Sequence, residues 1–180
     1  MLCKWSLAMR NIVRIACLYA LIGITPANAS EYISQYVPEA EKVGAGRLSV
    51  MIWDVYDAAL YAPQGQFNEN KPFALELTYL RHIPGEKIAD KSVEEIRDQG
   101  FLDEVKLADW HAQLKNIFPD VEEQTSLTGI YTKSGETVFF NGDQEIGRIN
   151  TAEFGKHFFN IWLGKQTSAP ALRAKLLGES

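Results

Sequence analysis

From Lys42 the chain alternates apolar and polar residues. Leu48, Val50 and Ile52 interleave with Arg47, Ser49, Met51 and Trp53, a two-residue period that predicts a strand. Val55 to Ala62 predicts a second strand, rich in aromatic and small residues, with Asp54 as the tight-turn residue between the two. Pro63 to Pro72 holds glycine, proline and asparagine and reads as a loop. Phe73 to Leu80 predicts a third strand, with Phe73, Leu75, Leu77 and Tyr79 on one face and Glu76 and Thr78 on the other. Ahead of these strands, Ser30 to Glu41 reads as a lead-in with one helical turn ending near Pro38.

After Pro84-Gly85 the period becomes helical. Ile88, Ala89, Val93 and Ile96 form one stripe, Glu86, Lys87, Asp90, Glu94 and Arg97 form a solvated face, and Gly100 stops the helix. A second helix is predicted from Asp103 to Ile117, ahead of Pro119. Strands return at Ser126 to Lys133, Thr137 to Phe140 and Gln144 to Ile149, joined by turns at Ser134-Gly135 and Asn141-Gly142. Asn150 with Glu153 predicts a helix cap. The helix it opens carries Phe154, Phe158, Ile161 and Trp162, read as a core stripe, and ends at Gly164. Ser168-Ala169-Pro170 opens a last short helix with Leu172 and Leu176. Hairpin signals dominate, so the class is α+β, an antiparallel sheet with helices on one face.

The first 29 residues differ from this pattern. They contain Lys4, Arg10 and Arg14 and no acid, then an apolar run from Ile15 to Ile24, then Ala27-Asn28-Ala29. This is the form of a secretory signal peptide cleaved after Ala29. The apolar run is too short to span a bilayer, which takes roughly 20 residues, so no integral membrane segment is expected after cleavage. Residues 30–180 then form a single periplasmic or secreted domain. Losing three basic residues shifts the net charge from −5 to −8, and both cysteines, Cys3 and Cys17, leave with the segment. Thiol and disulfide chemistry are thereby excluded from the mature chain. The acidic balance argues against a nucleic-acid partner.

The sequence offers few catalytic templates. His82, His111 and His157 are scattered with no metal-ligand spacing, and Gly44 and Gly46 lead into a strand and not a helix, so no metal or cofactor is expected. There is no Gly-x-Ser-x-Gly. Asp54 and Asp57 read as solvated turn acids. Arg47 opens an otherwise apolar strand after Gly-Ala-Gly and shares a face with Met51 and Trp53. It has two readings: an edge arginine paired with a surface acid, or a receptor for a carboxylate, enolate or phenolate.

Three stretches carry a resemblance. GAGRLSVMIWDVYDAALYA resembles the glycine-arginine strand and hairpin of the chalcone-isomerase-like superfamily. LRHIPGEKIADKSVEEI resembles the helix entry after its third strand. VFFNGDQEIGRINTAEFGKHFFNIWLG with APALRAKLLG resembles its C-terminal signature, especially in the bacterial exported branch. The similarity runs from Val43 to Gly178 and implies an open-faced β-sandwich, an antiparallel sheet covered by a layer of helices with a ligand cleft between them. The plant enzyme's arginine, which stabilises an anionic substrate during ring closure, matches Arg47. Its catalytic threonine falls near Tyr56, its tyrosine on Ile88 and its asparagine on Glu95. Ile88 has no polar group, and a charged Glu95 repels a phenolate, so no catalytic residue is assigned.

The non-catalytic, fatty-acid-binding members imply the leading expectation: a small amphipathic ligand, with Arg47 near its head group and Met51, Trp53, Tyr56, Tyr61, Leu77 and Tyr79 around it. The alternatives are an isomerase (intramolecular lyase) acting on another substrate, and an accessory protein with a closed cleft. The ligand's identity, the oligomeric state and any protein partner are left open.

Overall fold

The structure, a computed structural model, describes residues 30–179. The basic and apolar leader with its cleavage site after Ala29 lies outside the described residues. Six strands form one antiparallel sheet in sequence order: β1 (Ala40–Val50), β2 (Trp53–Pro63), β3 (Phe73–Tyr79), β4 (Ser126–Tyr131), β5 (Thr137–Asn141) and β6 (Gln144–Ile149). Helices α2 (Gly85–Asp98), α3 (Glu104–Ile117), α4 (Ala152–Leu163) and α5 (Pro170–Leu176) cover one face. This is the expected α+β class with an open antiparallel sheet.

Alternation in β3 sorts the two faces. Phe73, Leu75, Leu77 and Tyr79 join the main core under the helices, as their spacing predicts. Ala74 points the other way, into a smaller core with Ile130, Val138 and Phe140. The lead-in forms α1 (Glu31–Tyr36), which lies on that second face: Ile33 and Val37 are buried there, and the Tyr32 hydroxyl lies 3.0 Å from Thr128 Oγ1. Farther along that face, Arg47 and Asp57 are about half exposed among the described residues.

Two local expectations are corrected. The first turn is Met51-Ile52, with Val50 paired to Trp53; Asp54 sits inside β2. Met51 takes a φ of 56°, which lets the hairpin close without a polar turn residue. The helix cap falls on Thr151, and neither it nor Asn150 makes a side-chain capping bond; Glu153 instead binds Lys106 at 2.7 Å.

The Gly-Ala-Gly run has a packing role. A Cβ on Gly44 meets the backbone carbonyl of Lys175, and one on Gly46 sits 2.9 Å from Leu172 Cδ1. Helix α5 therefore rests directly on β1 because neither glycine has a side chain. Replacing Gly44 by alanine pushes this helix off the sheet. Chemical denaturation of Gly44→Ala is expected to show a loss of about 2 kcal/mol or more, as for other overpacked sites.

Candidate functional site

The helices do not close fully on the sheet. A cavity of about 290 Å³ remains, walled by Leu77 and Tyr79 of β3, Leu48 of β1, Tyr56 of β2, and Phe158 and Trp162 of α4. Its size lies at the lower edge of the usual range for small-molecule pockets, roughly 300–1,000 Å³. A largely apolar lining of this kind favours an apolar occupant. Phe158 and Trp162 serve as core and as cavity wall at once, stacked edge to face at 5.4 Å.

One helix supplies the polar end. Positions 88, 92 and 95 share a stripe on α2, so Ile88, Ser92 and Glu95 all turn toward the cavity, with Lys87 and Lys91 beside them. Ser92 is satisfied within the helix, its hydroxyl donating to Ile88 O at 2.8 Å. Glu95 is buried, 8% exposed, and binds Lys91 Nζ at 3.0 Å, with Glu94 at 3.3 Å on the same ammonium. Burial pulls the Lys91 pKa down, but the bonds to Glu95 and Glu94 outweigh it and hold the ammonium above its usual range. An ammonium has three donors, so one remains after the two glutamates.

Tyr56 supplies a neutral donor. Trp162 Nε1 donates to its hydroxyl oxygen at 2.8 Å, and among the described residues nothing accepts the Tyr56 proton. Burial pushes this phenol up to about 12, against the Trp162 bond that lowers it. It is therefore protonated at neutral pH and free to donate to a ligand oxygen. The Tyr79 ring meets Tyr56 edge to face at 5.8 Å, and burial raises its own phenol further.

Of the seven residues expected around a ligand, Tyr56, Leu77 and Tyr79 line this cavity and four do not. Arg47 lies on the opposite sheet face. Gly44, Gly46 and Leu48 point to the helices, so the intervening Arg47 points away, opposite Asp57. There it clasps Asp57 with Nε at 2.7 Å and Nη2 at 2.8 Å, and Asp54 with Nη1 at 2.9 Å. These bonds raise the arginine pKa; Ser49 and Arg47 hold Asp54 low, and Arg47 holds Asp57 low. The geometry is that of the edge arginine paired with surface acids. Tyr61 is packed in the second-face core, where burial pushes it up to about 12. Met51 is at the hairpin turn and Trp53 beside it, both exposed, Trp53 beneath the Arg81 guanidinium at 5.1 Å.

The site thus joins an apolar space to a neutral hydroxyl, an ammonium and a carboxylate. Among the described residues no group of three or more His, Cys, Asp or Glu is placed to hold a metal, and no helix is long and apolar enough to cross a membrane. Lys91 was missed because the α2 polar residues read as one solvated face. Helical spacing from Ile88 was the signal that places Ser92 and Glu95 inward.

The buried phenol of Tyr56 makes stability depend on alkaline pH. The fold favours its neutral form, so that contribution is full below the unfolded value of about 10 and is lost as pH rises toward 12. In denaturation curves between pH 9 and 12, as set by these values, Tyr56→Phe is expected to lose about 1–2 kcal/mol less than the wild type.

The comparisons agree with this architecture. No curated protein matches the sequence. Among solved structures, a fatty-acid binding protein of Arabidopsis thaliana superposes with a TM-score of 0.63 at 11% identity, covering 86% of this chain and 91% of the plant chain. At that identity the likeness is one of fold. A sequence model described as chalcone isomerase-like matches residues 42–178, which includes all six strands except the first two residues of β1, and the cavity between sheet and helices. The chain belongs to the chalcone isomerase-like family.

Proposed function

We propose that this protein is a non-catalytic binder of a small amphipathic molecule, such as a fatty acid, that acts in the periplasm after export. The observation that carries the reading is the apolar cavity of about 290 Å³ with its polar groups gathered on α2 and Tyr56. The tail fills the space among Leu77, Tyr79 and Phe158, each buried methylene contributing about 0.8 kcal/mol. The head group accepts from Tyr56 and from the remaining donor of Lys91, whose ammonium offsets the charge of Glu95 on the same wall. The plant relative in fold, a fatty-acid binding protein by name, supports the same ligand class. The leader with Ala27-Asn28-Ala29 supports export.

In this reading the head group lies on the α2 side and not at Arg47. Arg47, the residue that the resemblance matches to the plant enzyme's arginine, is bound to Asp54 and Asp57 on the far face, and this reading gives it no part in holding the ligand.

Titration of delipidated mature protein with saturated fatty acids of increasing length tests the binder. Affinity is expected to rise about fourfold per added methylene until the cavity is full. Lys91→Met is expected to weaken binding about tenfold or more, through loss of a charge-assisted bond. Ile88→Trp should block the cavity, while Arg47→Ala leaves affinity unchanged. Absence of saturable binding, or a loss on Arg47→Ala with none on Lys91→Met, overturns the reading. Export has its own measurement: N-terminal sequencing of protein from the periplasmic fraction is expected to begin at Ser30, and retention of the leader in the cytoplasm contradicts it.

A further inference from the structure

The β1–β2 hairpin ends in four consecutive apolar residues. Val50, Met51, Ile52 and Trp53 are 54%, 93%, 84% and 58% exposed. Asparagine or glycine would reach the left-handed φ of 56° at Met51 at less cost, so turn geometry does not explain these residue types. The apolar tip is also continuous with the cavity: Val50 is half exposed and still forms part of the lining, beside Leu48. The cavity therefore approaches the surface where the hairpin projects, with the exposed Lys87 also on its wall.

The size and charge of the tip select the partner. The turn and its flanks offer four apolar side chains, of which only the aromatic Trp53 reaches roughly 150–250 Å², and Val50 and Trp53 are already partly covered. That falls short of the about 800 Å² per partner in a stable protein interface. A bilayer needs no complementary shape. Arg81 over the Trp53 ring at 5.1 Å pairs an aromatic with a cation, the combination favoured at the depth of lipid head groups. The charges nearby are balanced, Arg81 and Arg47 against Asp54 and Asp57. Apolar insertion, and not attraction to anionic lipid, is then the driving term.

We propose that the Val50–Trp53 tip inserts into the surface of a lipid bilayer and sets the cavity opening against it. This rests on the ligand being an amphipath, because a bilayer is the phase that stores one. Its occupant then moves between membrane and cavity over a short apolar path along Val50 and Leu48.

The test is flotation of mature protein with vesicles of pure phosphatidylcholine and of phosphatidylcholine mixed with phosphatidylglycerol. The comparison is Met51→Asp/Ile52→Asp against Leu102→Asp/Val105→Asp, a pair also exposed but elsewhere on the molecule. All four positions are on the surface, so folding is preserved, and circular dichroism checks it. The wild type and the Leu102/Val105 variant are expected to float with both vesicles. The tip variant is expected to lose about tenfold or more in vesicle affinity while its fatty-acid affinity in vesicle-free buffer stays the same. The proposal is overturned if the wild type does not float, or if the tip variant floats as well as the wild type. It is also overturned if sedimentation shows a wild-type dimer that the tip variant dissolves. Loss of fatty-acid binding in every form, with flotation intact, would remove the ligand reading and leave the membrane contact standing.

Discussion

The close seat of α5 on Gly44 and Gly46 determines which side of the first hairpin meets the helices. Because side chains alternate along a strand, that one contact turns Leu48 inward and Arg47 outward. It carries across the hairpin as well. The register opposes Leu48 to Tyr56 and Arg47 to Asp57, with Val55 bulged between Asp54 and Tyr56. Tyr56 therefore reaches the cavity and Trp162, and Asp57 meets the arginine in solvent. An extra methyl at Gly44 would disturb the helix and the sorting of polar groups that depends on it.

The rest of the site follows from incomplete closure. Helix α4 lays its aromatic residues along the sheet, and edge-to-face contacts of Phe154 and Phe158 with Phe139 of β5 and of Phe159 with Phe73 of β3 hold it there. Helix α2 packs beside α3 and α4 with Ala89, Val93 and Ile96 buried. The residual space between the two helices is apolar, while its end carries the Lys91–Glu95 pair. Only Glu95 is buried and Lys91 is exposed, so the pair adds little net stability. Its value here is chemical, since it keeps a charged donor on the wall of the same cavity that Tyr56 lines.

Much of this fold was legible in the residues. β3 was readable because Phe73, Leu75, Leu77 and Tyr79 keep one period over the whole strand. The Met51-Ile52 turn was not, because Val-Met-Ile-Trp continues the apolar alternation through the bend and contains no turn-forming residue. That hid the register, and with it the face of Arg47. The glycine-arginine run drew attention to the arginine, while the glycines carry the structural role. Tyr79 shares the readable inner face of β3, but its place beside a ligand, like that of Tyr56, came from the family resemblance. Lys91 could not, because its position depends on the depth to which α2 sinks against the sheet, a property of packing and not of spacing. The aromatic stripe of α4 looked like ordinary core, and whether such a stripe closes or leaves a cavity is decided by residues on other elements.

The most direct measurement is the contact map of a bound ligand. Isotope-filtered nuclear Overhauser spectra of the mature protein with a carbon-13-labelled medium-chain fatty acid report which side chains touch the tail. The account predicts contacts from the methylenes to Leu77, Tyr79 and Phe158, and from the carbons next to the head group to Tyr56 and Ile88. Contacts confined to the far face, at Tyr61 or the Arg47–Asp57 pair, would contradict it.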